Sequence, residues 1–317
     1  MSSLIHHLRF AAASFALVSM FGAVRAQDEV PAGPTGPMLV FRTGRSIPLS
    51  AVTQQGANFV VSGDVEGYQA GAVIPASSIT HVSSEKPQAL RTGLGQVLMG
   101  QPRDAIKTLE PLLAALKPTA RISGNYWIDA ARAAVIAYTL EKESSKADAL
   151  AKEVSEATPE PGIDAIGRLA KALATPISAG TKARIDALSD QVTDSNPVEI
   201  SAVASYFKGK ILQEEKRNQE ALKAYLAVGC LYPSGTVLTT SAAELQAALL
   251  LSARSERRVE AVALLKSAAA GAPDTVIGTE AKKRFASLSD EKPAAPTPGE
   301  KPAESKEKPP EPKPDGN

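Results

Sequence analysis

The chain has 317 residues, 44% of them hydrophobic, with 35 basic and 34 acidic side chains and a formal net charge of +1. A balance this even leaves no electrostatic footprint for nucleic acid or an anionic lipid surface. One cysteine excludes an internal disulfide, and three histidines leave little of the usual proton-shuttling and metal-ligating chemistry.

Residues 1–26 read as an export signal. His6, His7 and Arg9 open it, an apolar run of 15 residues from Phe10 to Val24 comes next, and Val24-Arg25-Ala26 supplies small residues for cleavage. That run is short of the roughly 20 residues a membrane-spanning helix needs. No cysteine stands at the cleavage point, so no stable membrane anchor is expected. Cleavage after Ala26 removes Arg9 and Arg25 and no acid, which takes the formal charge to −1. It also removes two histidines, leaving His81, which reads as an exposed strand residue.

Residues 27–37 are rich in proline and glycine and read as a flexible lead-in. Residues 38–84 carry the period of strands: MLVF, SIPLSAV, NFVVSG and AVIPASSITHV, parted by glycine-bearing turns. About four strands make a small β-module, and its turn glycines and I-P-x-x-x-I ending resemble SH3-like and Sm-like barrels. Such a sheet is marginal alone and should lean on the helical residues after it.

Residues 86–289 shift to alanine, leucine, lysine and glutamate with a helical period. An acidic–Ala–aliphatic triplet recurs as Asp104-Ala105-Ile106, Asp148-Ala149-Leu150, Asp186-Ala187-Leu188, Glu220-Ala221-Leu222 and Glu260-Ala261-Val262; Asp164-Ala165-Ile166 matches too, by composition, and the polar break before most of the five sets them apart. A small residue there lets two helices approach closely. Each copy is preceded by a separate amphipathic helix, two of them marked by Trp127-Ala131-Ala134-Tyr138 and Val203-Phe207-Ile211 at helical spacing. The expected fold is mainly α: an α-solenoid of about five helix hairpins behind the β-module. Residues 290–317, interleaving proline, lysine and glutamate without a large apolar side chain, read as a disordered tail.

On these residues the helical part resembles tetratricopeptide-repeat (TPR) proteins. The stretch Gln219–Phe285, with EALKAYLAVGCLYPSG and RVEAVALLKSAAAGAPDTVIGTEAKKRF, is similar to an exported bacterial branch found in envelope-assembly and cell-division coordinator proteins. The chain departs from that branch in its irregular period, its β-rich front and the missing lipidation cysteine. The resemblance implies a non-catalytic scaffold that holds a protein or peptide partner in a concave groove, without a cofactor.

Groove candidates are polar or aromatic positions on the first helices of each pair: Asn125, Tyr126, Arg132, Tyr206, Lys210 and Gln246. Neither H-E-x-x-H, C-x-x-C, G-x-S-x-G nor a phosphate-binding G-x-x-x-x-G-K-[ST] occurs. Two alternatives stay open: a hydrolase of envelope polymers working through paired carboxylates, and a structural spacer that self-assembles. Cys230, four residues from Leu226 and eight from Leu222, is expected to fill a buried helix face. For the leader, intact-mass analysis of the exported protein should find Gln27 as the mature N-terminus, and material that retains Met1 would refute the cleavage.

Overall fold

The computed structural model describes residues 36–65, 67–157, 162–232 and 236–290. The segment expected to be an export signal, nearly all of the expected lead-in, the residues beyond 290 and the breaks at 158–161 and 233–235 lie outside them. The described chain is mainly helical, with a small β-module ahead of eleven α-helices.

Six short strands, not four, build the module: β1 (Met38–Phe41), β2 (Ser46–Pro48), β3 (Val52–Gln55), β4 (Asn58–Val61), β5 (Val73–Pro75) and β6 (Ile79–Ser83). Two of the runs read as single strands are each bent in the middle. Pro48 and Pro75 cannot donate a ladder hydrogen bond, so each ends a strand and starts a 3-10 turn that carries the chain into the other sheet. The sheets are β2-β1-β6 and β3-β4-β5, with every pairing antiparallel.

The two bends are equivalent. Ile47-Pro48-Leu49-Ser50-Ala51-Val52-Thr53 and Ile74-Pro75-Ala76-Ser77-Ser78-Ile79-Thr80 make matching hydrogen bonds. Leu49 and Ala76 donate to Pro37 and Ala57 (2.8 and 3.1 Å), while Ala51 and Ser78 accept from Ser62 and Arg42 (2.8 and 3.3 Å). Register agrees as well: Leu39 faces Ile47 as Phe59 faces Ile74. The module is therefore two copies of a strand–strand–turn–strand unit that exchange their third strands. Leu39, Phe41, Ile47, Phe59, Val61, Ile74, Ile79 and Val82 form its core, and Ile122 from the helical part packs against it.

The helices pair as α1 (Gln88–Leu98) with α2 (Pro102–Leu116), α3 (Trp127–Leu140) with α4 (Ser144–Ala157), and α5 (Ala165–Leu173) with α6 (Thr181–Ser189). They continue with α7 (Val198–Glu214) and α8 (Asn218–Leu231), then α9 (Val237–Ser252) and α10 (Arg258–Gly271), and end with α11 (Val276–Asp290). The five triplets at 104, 148, 186, 220 and 260 fall on second helices, whereas the sixth match, Asp164-Ala165-Ile166, opens the first helix α5. Three pairs turn in the same way: Gly100, Lys142 and Lys216 sit at positive φ just past α1, α3 and α7. In each, the next residue donates back five positions, as Gln101 does to Gln96 at 2.8 Å, which is how a helix C-terminus satisfies its last carbonyls.

Two features depart from expectation. Ala105, Ala221 and Ala261 are fully buried, but Ala149 is exposed and Ala187 half-buried; in those pairs Ala147 and Leu188 take the inner position. Cys230 is exposed, and so is Leu226. The buried stripe of α8 is Ala221, Ala224, Tyr225 and Val228, one position away from the stripe that holds the cysteine. A spacing of four cannot choose between neighbouring stripes; the large Tyr225 ring does.

The first helices pack in succession, α1 on α3, α3 on α5, α5 on α7 and α7 on α9, and α9 packs back on α1. The array closes, so units do not touch their sequence neighbours alone. Gln88 and Arg91 of α1 donate to the carbonyls of Asp274 and Pro273 at 3.0 and 3.3 Å. Tyr206 of α7 is fully buried and its hydroxyl donates to the Leu98 carbonyl at the end of α1, 2.6 Å away. Replacing Tyr206 by Phe should leave that carbonyl unpaired and cost about 1–3 kcal/mol. Urea denaturation with an unchanged helical spectrum would show this; unaltered stability would refute the closure.

Candidate functional site

Closure fills the space in which a groove was expected. α3, α7 and α9 are buried on most faces, α3 and α9 largely through alanines and α7 through small residues together with Ile200, Val203, Tyr206, Phe207, Ile211 and Leu212. The six groove candidates separate accordingly. A fully buried Tyr206 cannot touch a partner, and burial pushes its phenol well above the ordinary range.

Arg132 is half-buried beside a cavity of about 50 Å³ that Lys86, Asp129 and Glu199 also line. Its Nε is buried without a hydrogen-bond partner. Burial raises the Asp129 carboxyl, with Lys86 and Arg132 pulling it back down. The space holds a water or two, not a peptide. Tyr126 is half-buried at the start of α3, with the Lys86 ammonium 6.0 Å from its ring centre.

Lys210 is half-buried at a different cleft of about 230 Å³, beside Phe207 and Glu214. Burial depresses its ammonium, against a smaller upward pull from Glu214. Gln246 is half-buried on α9.

Asn125 is the informative case. Its side-chain amide donates to the carbonyls of Thr119 and Ile122, and its Oδ1 accepts from the Trp127 amide at 2.7 Å. It is a clamp on the α2–α3 connection and does not face a groove. The connection is fastened at two more points. Thr119 Oγ1 donates to the Leu116 carbonyl at 3.0 Å, and Ser123 offers its carbonyl to the Val82 amide of β6 at 2.8 Å. Gly124, at φ 79°, passes so close to β6 that a Cβ would lie 2.6 Å from the Val82 oxygen. No other residue fits there.

This connection makes one wall of an open cleft of about 620 Å³. The facing wall belongs to the β-module: Gln54 of β3, the Gly56-Ala57 turn, Phe59 and the Ala76-Ser77 bend. Pro118, Arg121, Ile122 and Ser123 stand opposite. A second space of about 300 Å³ shares Gln54, Pro118 and Arg121 and runs on toward Trp127, Glu153 and Glu156.

Charge and hydrogen bonding are uneven along this path. Lys117 is paired with Glu153 at 2.9 Å and Glu156 with Lys152 at 3.8 Å. Arg121 is exposed and has no ion-pair or hydrogen-bond partner among the described residues. Trp127 is 2% exposed, and its indole N–H has no acceptor.

Such a path suits an extended chain: two adjoining spaces, apolar at Ala57, Ala76, Pro118 and Ile122, with one unmatched cation between them. None of the six groove candidates lines it, because the cleft exists only where the module meets the helices. Among the described residues no cluster of His, Cys, Asp and Glu could hold a metal ion, and no helix is long and apolar enough to cross a membrane. His81 is exposed, its Nδ1 3.1 Å from Thr80 Oγ1. No protein-family model matches the chain, and no curated protein shows significant similarity to it.

Removing the clamp should loosen the wall. Asn125→Ala removes the side-chain partner of the Ile122 carbonyl and the Trp127 amide, while the Thr119 carbonyl keeps the Ile122 amide, and we expect a loss of about 1–3 kcal/mol in urea unfolding. Stability equal to the wild type would show that the connection is held by packing alone.

Proposed function

We propose that the chain is an exported, non-catalytic adaptor that binds a protein or peptide partner. The helix pairs are read as TPR-like: every second helix carries the triplet, which also opens α5, and three of the turns share one geometry. Export rests on the composition of residues 1–26. The observation that carries the binding role is the cleft between the β-module and the α2–α3 connection, with its neighbouring space and unpaired Arg121. The partner site thereby moves from the first-helix groove, which closure fills, to the junction.

The test uses the full chain in cells that export it, with a photo-crosslinking residue at Ser77 in the cleft wall or at Val259, an exposed position on α10. A discrete crosslinked species should form from Ser77 and not from Val259. No species from Ser77, or the same species from both, would refute the adaptor reading.

A further inference from the structure

Two three-stranded sheets have four edge strands, and an open edge is a template on which another backbone can pair. Three of the four are protected here. β2 and β5 are three residues long and end in Pro48 and Pro75. β6 is covered, because its Val82 amide is bonded to Ser123 and Gly124 lies against its carbonyl. β3, Val52-Thr53-Gln54-Gln55, has no proline, no charge and no cover.

The internal equivalence makes the contrast specific. Val82 faces Leu39 on β1, and Gln54 faces Phe59 on β4, the counterpart strand. The Val61 amide bonds toward β5, to Ala72 at 3.0 Å. Residues of an antiparallel strand alternate in the side to which their backbone groups point. Phe59 therefore also faces β5, and its opposite number Gln54 turns its own N–H and C=O outward. Gln54 is the uncovered equivalent of Val82, and its side chain lines both spaces of the junction.

We propose that the partner docks at this edge as an extended strand, its backbone pairing with Gln54. Apolar side chains of the strand lie over Ala57, Ala76, Pro118 and Ile122, and an acidic residue meets Arg121. Alternation of side chains along a strand supplies both kinds of contact from one segment, and strand addition draws affinity from main-chain hydrogen bonds and specificity from adjacent pockets. The chemistry selects a short acidic–apolar segment. The tail of this chain, with its prolines and lack of large apolar residues, does not have it. The inference rests on the adaptor reading and adds to it the mode of binding.

The probe is a fluorescein-labelled octapeptide of alternating valine and glutamate, titrated by anisotropy against the full chain. Three comparisons accompany it: the same peptide N-methylated on alternate residues, a valine–lysine version, and the variants Gln54→Pro and Arg121→Glu. Wild type should bind the valine–glutamate peptide and bind the N-methylated one at least about tenfold more weakly, because the methyl groups remove donors that face the edge. Gln54→Pro removes an outward donor while sparing the pairs with β4, and should weaken binding similarly. Arg121→Glu should shift preference to the lysine peptide.

Equal binding of the N-methylated peptide, equal binding of the lysine peptide to wild type, or no binding of the acidic peptide overturns the proposal. The N-methyl comparison needs only wild-type protein and decides the matter if Gln54→Pro does not fold. Crosslinking from Ser77 combined with insensitivity to N-methylation would refute strand addition and leave the adaptor standing.

Discussion

The structure depends on the short connection between α2 and α3. Asn125 bonds both ends of it, two carbonyls behind and one amide ahead. On one side the turn gives Ile122 to the core of the β-module and a carbonyl to β6. On the other it starts α3, whose Trp127, Ala130, Ala131 and Ala134 lie in the helical core. A six-stranded module of such short strands buries too little to be secure alone. The connection supplies an apolar residue and an edge partner at the place where the module is weakest.

Closure of the helical array has a related physical origin. Alanine lines much of the buried surface of α3 and α9, and small residues bring helix axes close enough that bulky groups elsewhere must fill the joints. Tyr206 and Tyr225, with ring centres 5.8 Å apart, do so between α7 and α8. The Tyr206 hydroxyl would be costly in that interior without an acceptor; the Leu98 carbonyl supplies one and ties the fourth pair to the first. Helices with small residues all round read in sequence as amphipathic only where a large side chain marks a stripe. Elsewhere the pattern does not say how many faces are covered.

This is the physical limit on what could be read beforehand. The helical part and the strand-period front come from local periodicity and turn chemistry, and the described structure has them. Register within a helix is different, because it depends on which neighbour arrives. Ala149 and Cys230 carry the right spacing on the wrong stripe. The cleft was illegible for a third reason. Its walls come from residues 54–80 and 118–123, and none of them is unusual in its own segment. The repeat in the module could have been found, since I-P-x-S-x-[VI]-T occurs twice, at Ile47 and at Ile74. Its value lies in pairing Val82 with Gln54, which needs the strand register.

A module of two equivalent halves would be expected to protect equivalent edges in the same way. Here it cannot, because there is one α2–α3 connection and two edges. The sequence at the covered edge is apolar: Ile79 and Val82 are buried. At the open edge the counterparts are Val52, half-buried, and the exposed Gln54. Glutamine at the position of Val82 keeps β3 compatible with water when nothing covers it, while leaving the outward backbone groups available. A charged residue or a proline would have closed the edge to pairing. Neither is present, so the asymmetry left by the helices is retained in the side chains: one edge built to be covered permanently, the other built to stay open.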